Sequence, residues 1–202
     1  VRFSLGIGLG IVSGGKLHRG TIGASGEVAH IQIENGGDEC RCGRRGCLET
    51  FASGAAFEHA ARNPEVWMRS PFLSEAHARS GSIFMEDVFA GIAAGDVTCT
   101  KMAADAGIRL ASVLAVLVAT YNPGEIVIGG AVTASGQLLA SIVDQAIRRK
   151  VLRTTSARLS VRMGSRDQLD RLVGSSQLLV SSLLTPAHVS GLLGLAGDST
   201  LL

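Results

Sequence analysis

Residues 30–49 read H-I-Q-I-E-N-G-G-D-E-C-R-C-G-R-R-G-C-L-E and concentrate the metal-binding side chains of the chain. Three of the four cysteines lie in this stretch: Cys40, Cys42 and Cys47. Thiolates and a neutral imidazole suit Zn²⁺, and four protein ligands mark a closed structural site. Gly43 and Gly46 allow the chain to turn tightly between the ligands, where a positive φ is needed. The stretch therefore predicts a zinc site with four ligands: His30, Cys40, Cys42 and Cys47.

A disulfide or free thiols are the alternative for these cysteines. Cys40 and Cys42 are too close in sequence to pair comfortably with each other, and pairing two cysteines leaves the third over. No signal peptide or secretory context favours oxidation. Arg41, Arg44 and Arg45 suit a basic solvated turn, but they also help to hold thiolates deprotonated. Zinc remains the interpretation that we favour.

Composition places the chain among globular proteins. The 202 residues are 46% hydrophobic and 18% charged, with a net charge of +2. This excludes a disordered chain and predicts one or two domains. Acidic and basic residues are interspersed, and no basic stripe alternates with aromatic residues, which argues against a large nucleic-acid-binding surface.

Targeting signals are not visible in the sequence. No apolar run reaches the roughly 18 to 20 residues of a membrane span, and no signal peptide is recognisable, so we expect a reducing, cytoplasmic location. The chain begins with Val1 and not with Met, and its first residues already resemble a strand. We therefore expect a fragment that lacks an N-terminal part.

The first twenty residues predict a strand, a glycine-rich turn and a second strand. Gly14 and Gly15 are a two-residue hairpin signal. The glycines that precede them can cradle a phosphate with their backbone amides, but a plain β-turn explains them equally well. These glycines are Gly6, Gly8 and Gly10.

Hydrophobic periodicity places the remaining elements. We expect a strand through 28–33 and an irregular excursion over 64–81. The long helix of 96–121 begins at Asp96 as N-cap and is apolar nearly all round, so it packs inside the domain or against a second subunit. Cys99 lies in this helix and is not expected to bind metal. Further helices are predicted over 48–62, 82–94, 135–150 and 172–184, and strands over 125–132 and 158–163.

The run G-E-V-A-H-x9-C-x-C-G-x-x-G-C-L-E-x-x-A-S-G closely resembles the signature of the ROK family, named for repressors, open reading frames and sugar kinases. The match holds many positions at fixed spacing, and the resemblance extends over 1–184. It implies an α/β fold, an actin-like ATPase (ribonuclease H-like) lobe with helices flanking a mixed sheet and a zinc-binding loop. We interpret residues 1–202 as the C-terminal lobe of a sugar-binding effector domain, without the N-terminal lobe or any DNA-binding domain.

The resemblance also implies the sugar contacts. Glu27 and Glu49 are expected to accept hydrogen bonds from sugar hydroxyls. His30 is expected to bind zinc through one ring nitrogen and to offer the other to the sugar, because a metal-bound imidazole has its second N–H fixed in orientation. The alternatives are an exposed strand-end carboxylate for Glu27 and a helix-dipole partner in the first turn for Glu49.

Nucleotide contacts are expected only if the chain belongs to a kinase. The resemblance places them at five glycines: Gly6, Gly8, Gly10, Gly129 and Gly130. The kinases of the family carry a phosphate loop similar to G-T-G-x-G-x-G, but here Ser4 replaces the first glycine and Leu5 replaces the threonine. ATP binding is therefore not expected. For Gly129 and Gly130, a tight turn after the strand is the alternative.

Three functions follow from the resemblance. The first is the effector-binding and dimerisation region of a transcriptional regulator, which senses a sugar, amino sugar or sugar phosphate and reaches DNA only through a separate N-terminal domain. The second is the C-terminal lobe of an ATP-dependent hexose kinase, whose Asn-Asp base is not in this sequence. The third is a zinc-stabilised oligomerisation domain without a ligand. We favour the regulator, as a homodimer or higher homo-oligomer.

Overall fold

Residues 1–165 and 169–192 are described by a computed structural model. The backbone divides into two units, Val1–Arg166 and Asp167–Leu202. The strands of the first unit are β1 (Arg2–Phe3), β2 (Ile7–Gly8), β3 (Ile11–Ser13), β4 (Lys16–His18), β5 (Glu125–Ile128) and β6 (Ser160–Met163). Its helices are α1 (Glu49–Ala52), α2 (Gly54–Ala61), α3 (Pro64–Trp67), α4 (Pro71–Ser80), α5 (Met85–Ala93), α6 (Val97–Tyr121), α7 (Leu138–Arg148) and α8 (Arg153–Ser156).

The β-structure is mixed, as predicted. Strands β1 and β2 pair antiparallel, whereas β5 and β6 pair parallel with α7 in the crossover between them. A parallel bridge joins Arg2 to Gly129, and the Phe3 N–H donates to the Gly129 carbonyl at 2.7 Å. The N-terminal strand therefore lies beside the end of β5, which brings Phe3 and Ser4 next to Gly129 and Gly130.

The hairpin of β3 and β4 confirms the two-residue turn. Gly14 and Gly15 have φ values of 56° and 73°, and the strands on either side pair antiparallel. A turn with positive φ at both central residues matches the right-handed twist of the strands that it joins. Glycine adopts this backbone without steric cost.

Helix α6 is the core of the first unit. It begins after Asp96, whose carboxylate accepts a hydrogen bond from the Cys99 N–H at 2.9 Å, and it ends at Asn122 with φ 44°. Ten of its residues are buried, Cys99 among them. We expected no apolar run long enough to span a membrane, but α6 is long and apolar enough to do so by length and composition alone. Half of its most apolar 18 residues are buried inside the protein, as in the core helix of a globular protein.

The predicted strand through 28–33 is wrong. Val28–His30 form a turn of 3₁₀ helix after Gly26, which has φ 100°. Val28 and Ala29 are buried together in the core, and neighbouring side chains of a strand would point to opposite faces. The only bridge that this segment forms joins Gln32 to Cys47.

The predicted helix over 48–62 is two helices, because Ser53 interrupts it. Ser53 is extended, with φ −112° and ψ 166°, and its hydroxyl accepts a hydrogen bond from the Ala56 N–H at 3.1 Å. Such an N-cap satisfies a free amide at the start of α2. The Gly54 N–H donates to the Ser4 carbonyl at 2.8 Å, which anchors the glycine-rich loop on this helix start.

The predicted irregular excursion over 64–81 is also wrong, because it contains α3 and α4. Asn63 and Ser70 cap these helices, and a proline occupies the first turn of each. Proline is well placed there, since the missing N–H has no helical partner at that position.

The second unit contains α9 (Leu169–Leu183) and α10 (Pro186–Leu192). Helix α9 confirms the helix predicted over 172–184. Residues 193–202, after α10, lie outside the described residues.

Candidate metal centre and adjacent carboxylates

Two glycines shape the cysteine loop. The Cys40 N–H donates to the Arg44 carbonyl at 2.7 Å, and the Gly43 N–H returns to the Cys40 carbonyl at 2.8 Å. Gly43 and Gly46 have φ values of 84° and 72°, as predicted. A Cβ on Gly46 would lie 1.8 Å from the Glu34 carbonyl oxygen. No other residue fits at Gly46 without displacing the backbone.

The loop brings the four predicted ligands together. The ligand atoms of His30, Cys40, Cys42 and Cys47 all lie within 4.8 Å of one another. The Sγ atoms of Cys42 and Cys47 are 3.6 Å apart, and Cys40 Sγ is 3.5 Å from His30 Nδ1. Ligands at tetrahedral corners around a zinc ion are separated by about 3.5 to 3.8 Å. This arrangement can hold a metal ion.

The cysteines are not bonded to one another. All four cysteines are free thiols, and Cys99 lies buried in α6, outside the cluster. The 3.6 Å between the Cys42 and Cys47 sulfurs exceeds the roughly 2.05 Å of a disulfide. The structure thus agrees with thiol or thiolate ligands and not with the disulfide alternative.

The thiols of the cluster differ in how readily they ionise. A hydrogen bond from the Arg44 backbone lowers the pKa of Cys42 to about 6. Burial, followed by the neighbouring Cys42 and Cys40, raises the pKa of Cys47 to about 12. One thiolate therefore forms readily, and the next is opposed by low solvation and by like charge. A divalent cation removes that opposition, since it deprotonates the thiols that coordinate it.

His30 stands between the cluster and a carboxylate. Its Nδ1 faces Cys40 Sγ at 3.5 Å, and its Nε2 lies 4.0 Å from Glu27 Oε2. The Glu27 side chain is 71% exposed. One ring nitrogen is thus directed to the cluster and the other to the solvent-facing side, which is the geometry that the dual role of His30 requires.

Glu49 forms an ion pair with Arg41, which the sequence did not predict. Arg41 Nε lies 2.8 Å from Glu49 Oε1, and Arg41 Nη2 donates to Glu49 Oε2 at 3.3 Å. The Glu49 side chain is only 11% exposed, and it is the first residue of α1. Arg41 had been assigned to the thiolates with Arg44 and Arg45. The position of Arg41 between two cysteines places it near the cluster, but the sequence does not show which carboxylate it contacts.

The start of α1 is fixed to the ligand segment. Leu48 is fully buried, and its N–H donates to the Ile31 carbonyl at 2.9 Å. The guanidinium of Arg109, from α6, lies 4.2 Å from the centre of the Phe51 ring and also forms an ion pair with Glu34. These contacts place Glu49 on a rigid element next to the cluster.

The glycines predicted for nucleotide lie in two places. A Cβ on Gly6 would lie 3.5 Å from Arg41 Nη2 and 3.6 Å from Glu49 Oε2, so Gly6 belongs to the carboxylate side. Gly8 and Gly10 have no positive φ and no close backbone neighbour. Gly129 follows β5, and Gly130 turns the chain with φ 99°.

Ser4 joins the two glycine segments. Its hydroxyl accepts a hydrogen bond from the Ala131 N–H at 3.1 Å. A Cβ on Gly130 would lie 2.7 Å from the same hydroxyl oxygen and 2.6 Å from the Phe3 carbonyl oxygen. Gly130 is therefore required by the turn itself. The Ala131 N–H, at the start of the following 3₁₀ helix, is already hydrogen-bonded to the Ser4 hydroxyl.

The ROK family profile matches residues 1–181. The chain belongs to the ROK family. It is 30% identical over 186 residues to the DNA-binding transcriptional dual regulator NagC of Escherichia coli, which is 91% of this chain and 44% of NagC. The family and the structural neighbours confirm the α/β actin-like ATPase fold.

Two solved structures show how widely this fold is shared. A ROK family transcriptional regulator, a homologue of the E. coli MLC protein, superposes with a TM-score of 0.71 at 30% identity, over 80% of this chain and 40% of that one. A ROK family glucokinase from Streptomyces griseus, in complex with glucose and AMPPNP, has a TM-score of 0.75 at 26% identity, over 88% and 58%. The chain spans about half the length of these relatives, which include both repressors and sugar kinases.

Proposed function

We propose that this chain is the C-terminal lobe of a ROK-type transcriptional regulator, and that it binds a sugar effector and forms the dimer. In this proposal Zn²⁺ occupies the cluster of His30 and the three cysteines as a structural ion. DNA is reached through a separate domain, and the protein works in the cytoplasm.

The contact between Ser4 and Ala131 carries the choice of regulator over kinase. Ser4, which replaces the first glycine of the kinase phosphate loop, accepts a hydrogen bond from the Ala131 N–H at 3.1 Å, so its hydroxyl ties this loop to the turn at Gly130. Leu5, which replaces the threonine of the kinases, is 56% exposed and offers no polar group to a phosphate or a metal-bound water. A regulator loses nothing by this arrangement, whereas a kinase loses part of its phosphate site.

Relatives suggest the class of effector. Relatives from other E. coli strains and from Shigella flexneri, which are also 30% identical to this chain, bear the name N-acetylglucosamine repressor. We therefore propose an N-acetylated amino sugar, or its phosphate, as the first effector to test. Glu27 and Glu49 would accept hydrogen bonds from its hydroxyls, and His30 Nε2 would donate one when Nδ1 is committed to the metal.

The proposed mechanism is a linkage between binding and domain closure. Zinc would hold the cysteine loop and fix the tautomer of His30. Glu27, His30 and Glu49 would then bind one side of the sugar, while the other lobe of the regulator binds the opposite side. A ligand that binds the closed form more tightly shifts the dimer toward that geometry by its difference in affinity. The spacing of the DNA-binding domains would follow.

A kinase lobe is the second candidate. It is favoured by the glucokinase neighbour with AMPPNP, whose TM-score of 0.75 exceeds the 0.71 of the regulator. In that case Gly6, Gly8, Gly10, Gly129 and Gly130 would face the nucleotide.

Calorimetry of the full-length protein that contains this chain, with two ligands, separates these candidates. We expect N-acetylglucosamine or its 6-phosphate to bind and to raise the melting temperature, and we expect magnesium AMPPNP to do neither, with or without the sugar. The S. griseus glucokinase serves as the positive control for nucleotide. Saturable AMPPNP binding below about 1 mM, a free energy of about −4 kcal/mol, would favour the kinase and contradict the regulator.

A further inference from the structure

Arg41 is the one arginine of the cysteine loop whose ion pair reaches a buried carboxylate. It lies between the ligands Cys40 and Cys42 in the sequence. Both Glu49 oxygens are engaged, Oε1 by Nε at 2.8 Å and Oε2 by Nη2 at 3.3 Å. Arg45, on the same loop, lies 3.8 Å from Glu39, and both of those side chains are well exposed. The two pairs differ in burial and in geometry.

The two pairs differ in the burial of the carboxylate and not of the arginine. The Arg41 side chain is 70% exposed, but the Glu49 side chain is only 11% exposed. Exposed ion pairs contribute little because water and salt screen them. An arginine that contacts both oxygens of a covered carboxylate restricts how that carboxylate can turn, and without this partner the poorly solvated group turns toward water.

The same geometry leaves Glu49 able to bind a ligand. Each carboxylate oxygen has two lone pairs. Arg41 donates a hydrogen bond to Oε2 and lies 2.8 Å from Oε1. The remaining lone pairs accept hydrogen bonds from donors such as sugar hydroxyls. Gly6 has no side chain, and a Cβ there would touch both Arg41 Nη2 and Glu49 Oε2, at 3.5 and 3.6 Å. The glycine therefore leaves the approach to the pair open.

We propose that Arg41 is a positioning residue of the effector site. It orients the Glu49 oxygens toward the hydroxyls of the sugar, from a loop position between the proposed metal ligands Cys40 and Cys42. This inference rests on the proposed sugar-binding function. It adds that the loop contributes Arg41 to recognition in addition to binding the metal.

Sugar affinity should separate positioning from plain stability. We expect Arg41→Ala to weaken N-acetylglucosamine binding about tenfold, measured by calorimetry, which is about 1.4 kcal/mol. Arg41→Lys should lose about threefold, since one ammonium cannot engage both oxygens. The zinc content, determined by atomic emission, should stay that of the wild type in both. Arg45→Ala is the matched control on the same loop and should bind as the wild type does.

A double-mutant cycle tests whether Arg41 acts through Glu49. In the Glu49→Gln background, Arg41→Ala should cause no further loss of sugar affinity. Wild-type affinity in both Arg41 variants, or an undiminished loss in the Glu49→Gln background, would overturn this inference while leaving the proposed function intact. Failure of the wild-type chain to bind any of the sugars would overturn the proposed function and the role of Arg41 with it.

Discussion

The cysteine loop and the glycine-rich loop of this chain differ in how far they depart from the family pattern. The cysteine loop keeps every ligand, and its four ligand atoms lie within 4.8 Å of one another. The glycine-rich loop keeps Gly6, Gly8 and Gly10, but Ser4 and Leu5 replace the residues that a kinase uses, and Ser4 occupies the Ala131 amide. The chain thus keeps the metal-ligand pattern of the family where it departs from the phosphate-loop pattern of the kinases.

Removing a metal ligand is expected to have the largest effect, because a structural metal contributes its binding free energy directly to folding. Cys47→Ser should lower the free energy of unfolding by about 4 kcal/mol or more, measured by urea denaturation, or prevent soluble expression. Cys99→Ala, outside the cluster, is the control and should leave the zinc content unchanged. If a chelator does not alter the melting temperature of the wild type, the structural role of the metal is wrong.

Alanine substitutions at Gly46 and Gly43 should lower the free energy of unfolding by different amounts. Gly46→Ala places a Cβ against the Glu34 carbonyl oxygen, at 1.8 Å before any relaxation, and should destabilise the chain by about 3 kcal/mol or more. Gly43→Ala has a similar positive φ but open space around it, and should cost only about 1 kcal/mol. Thermal denaturation of the pair measures the difference. Equal costs would mean that the close approach at Gly46 is not as described.

The smallest effect is expected on the glycine-rich side. Ser4→Ala removes the hydrogen bond to the Ala131 N–H and should cost about 1 kcal/mol in unfolding free energy. Sugar affinity should not change, because Ser4 is not among the proposed sugar contacts. A large loss of sugar affinity in Ser4→Ala would show that the two loops act as one site, against the separation drawn here.

The sequence predicted features that depend on a few neighbouring residues. The metal ligands fall within one short segment, so their spacing alone indicates the cluster. The hairpin at Gly14 and Gly15 and the capped start of α6 at Asp96 also follow local rules.

The errors arose where a local signal has two meanings. Residues 64–81 were predicted to be irregular, yet Pro64 and Pro71 start α3 and α4, because proline suits a first turn as well as it ends a helix. Ser53 lies in an apolar helical pattern, and only its cap on α2 divides that pattern in two.

Long-range partners were beyond the sequence. The pair of Arg41 with Glu49 and the contact of Ser4 with Ala131 join residues whose separation in the chain gives no indication of contact. The roles of Glu27 and Glu49 at a sugar, and of the glycines at a nucleotide, remain predictions.

X-ray absorption at the zinc edge, on protein purified without added metal, tests the account most directly. We predict about one zinc per chain, with three sulfur ligands at about 2.3 Å and one nitrogen at about 2.0 to 2.1 Å. A spectrum with only oxygen and nitrogen neighbours, or a protein that is folded and free of zinc, would contradict it.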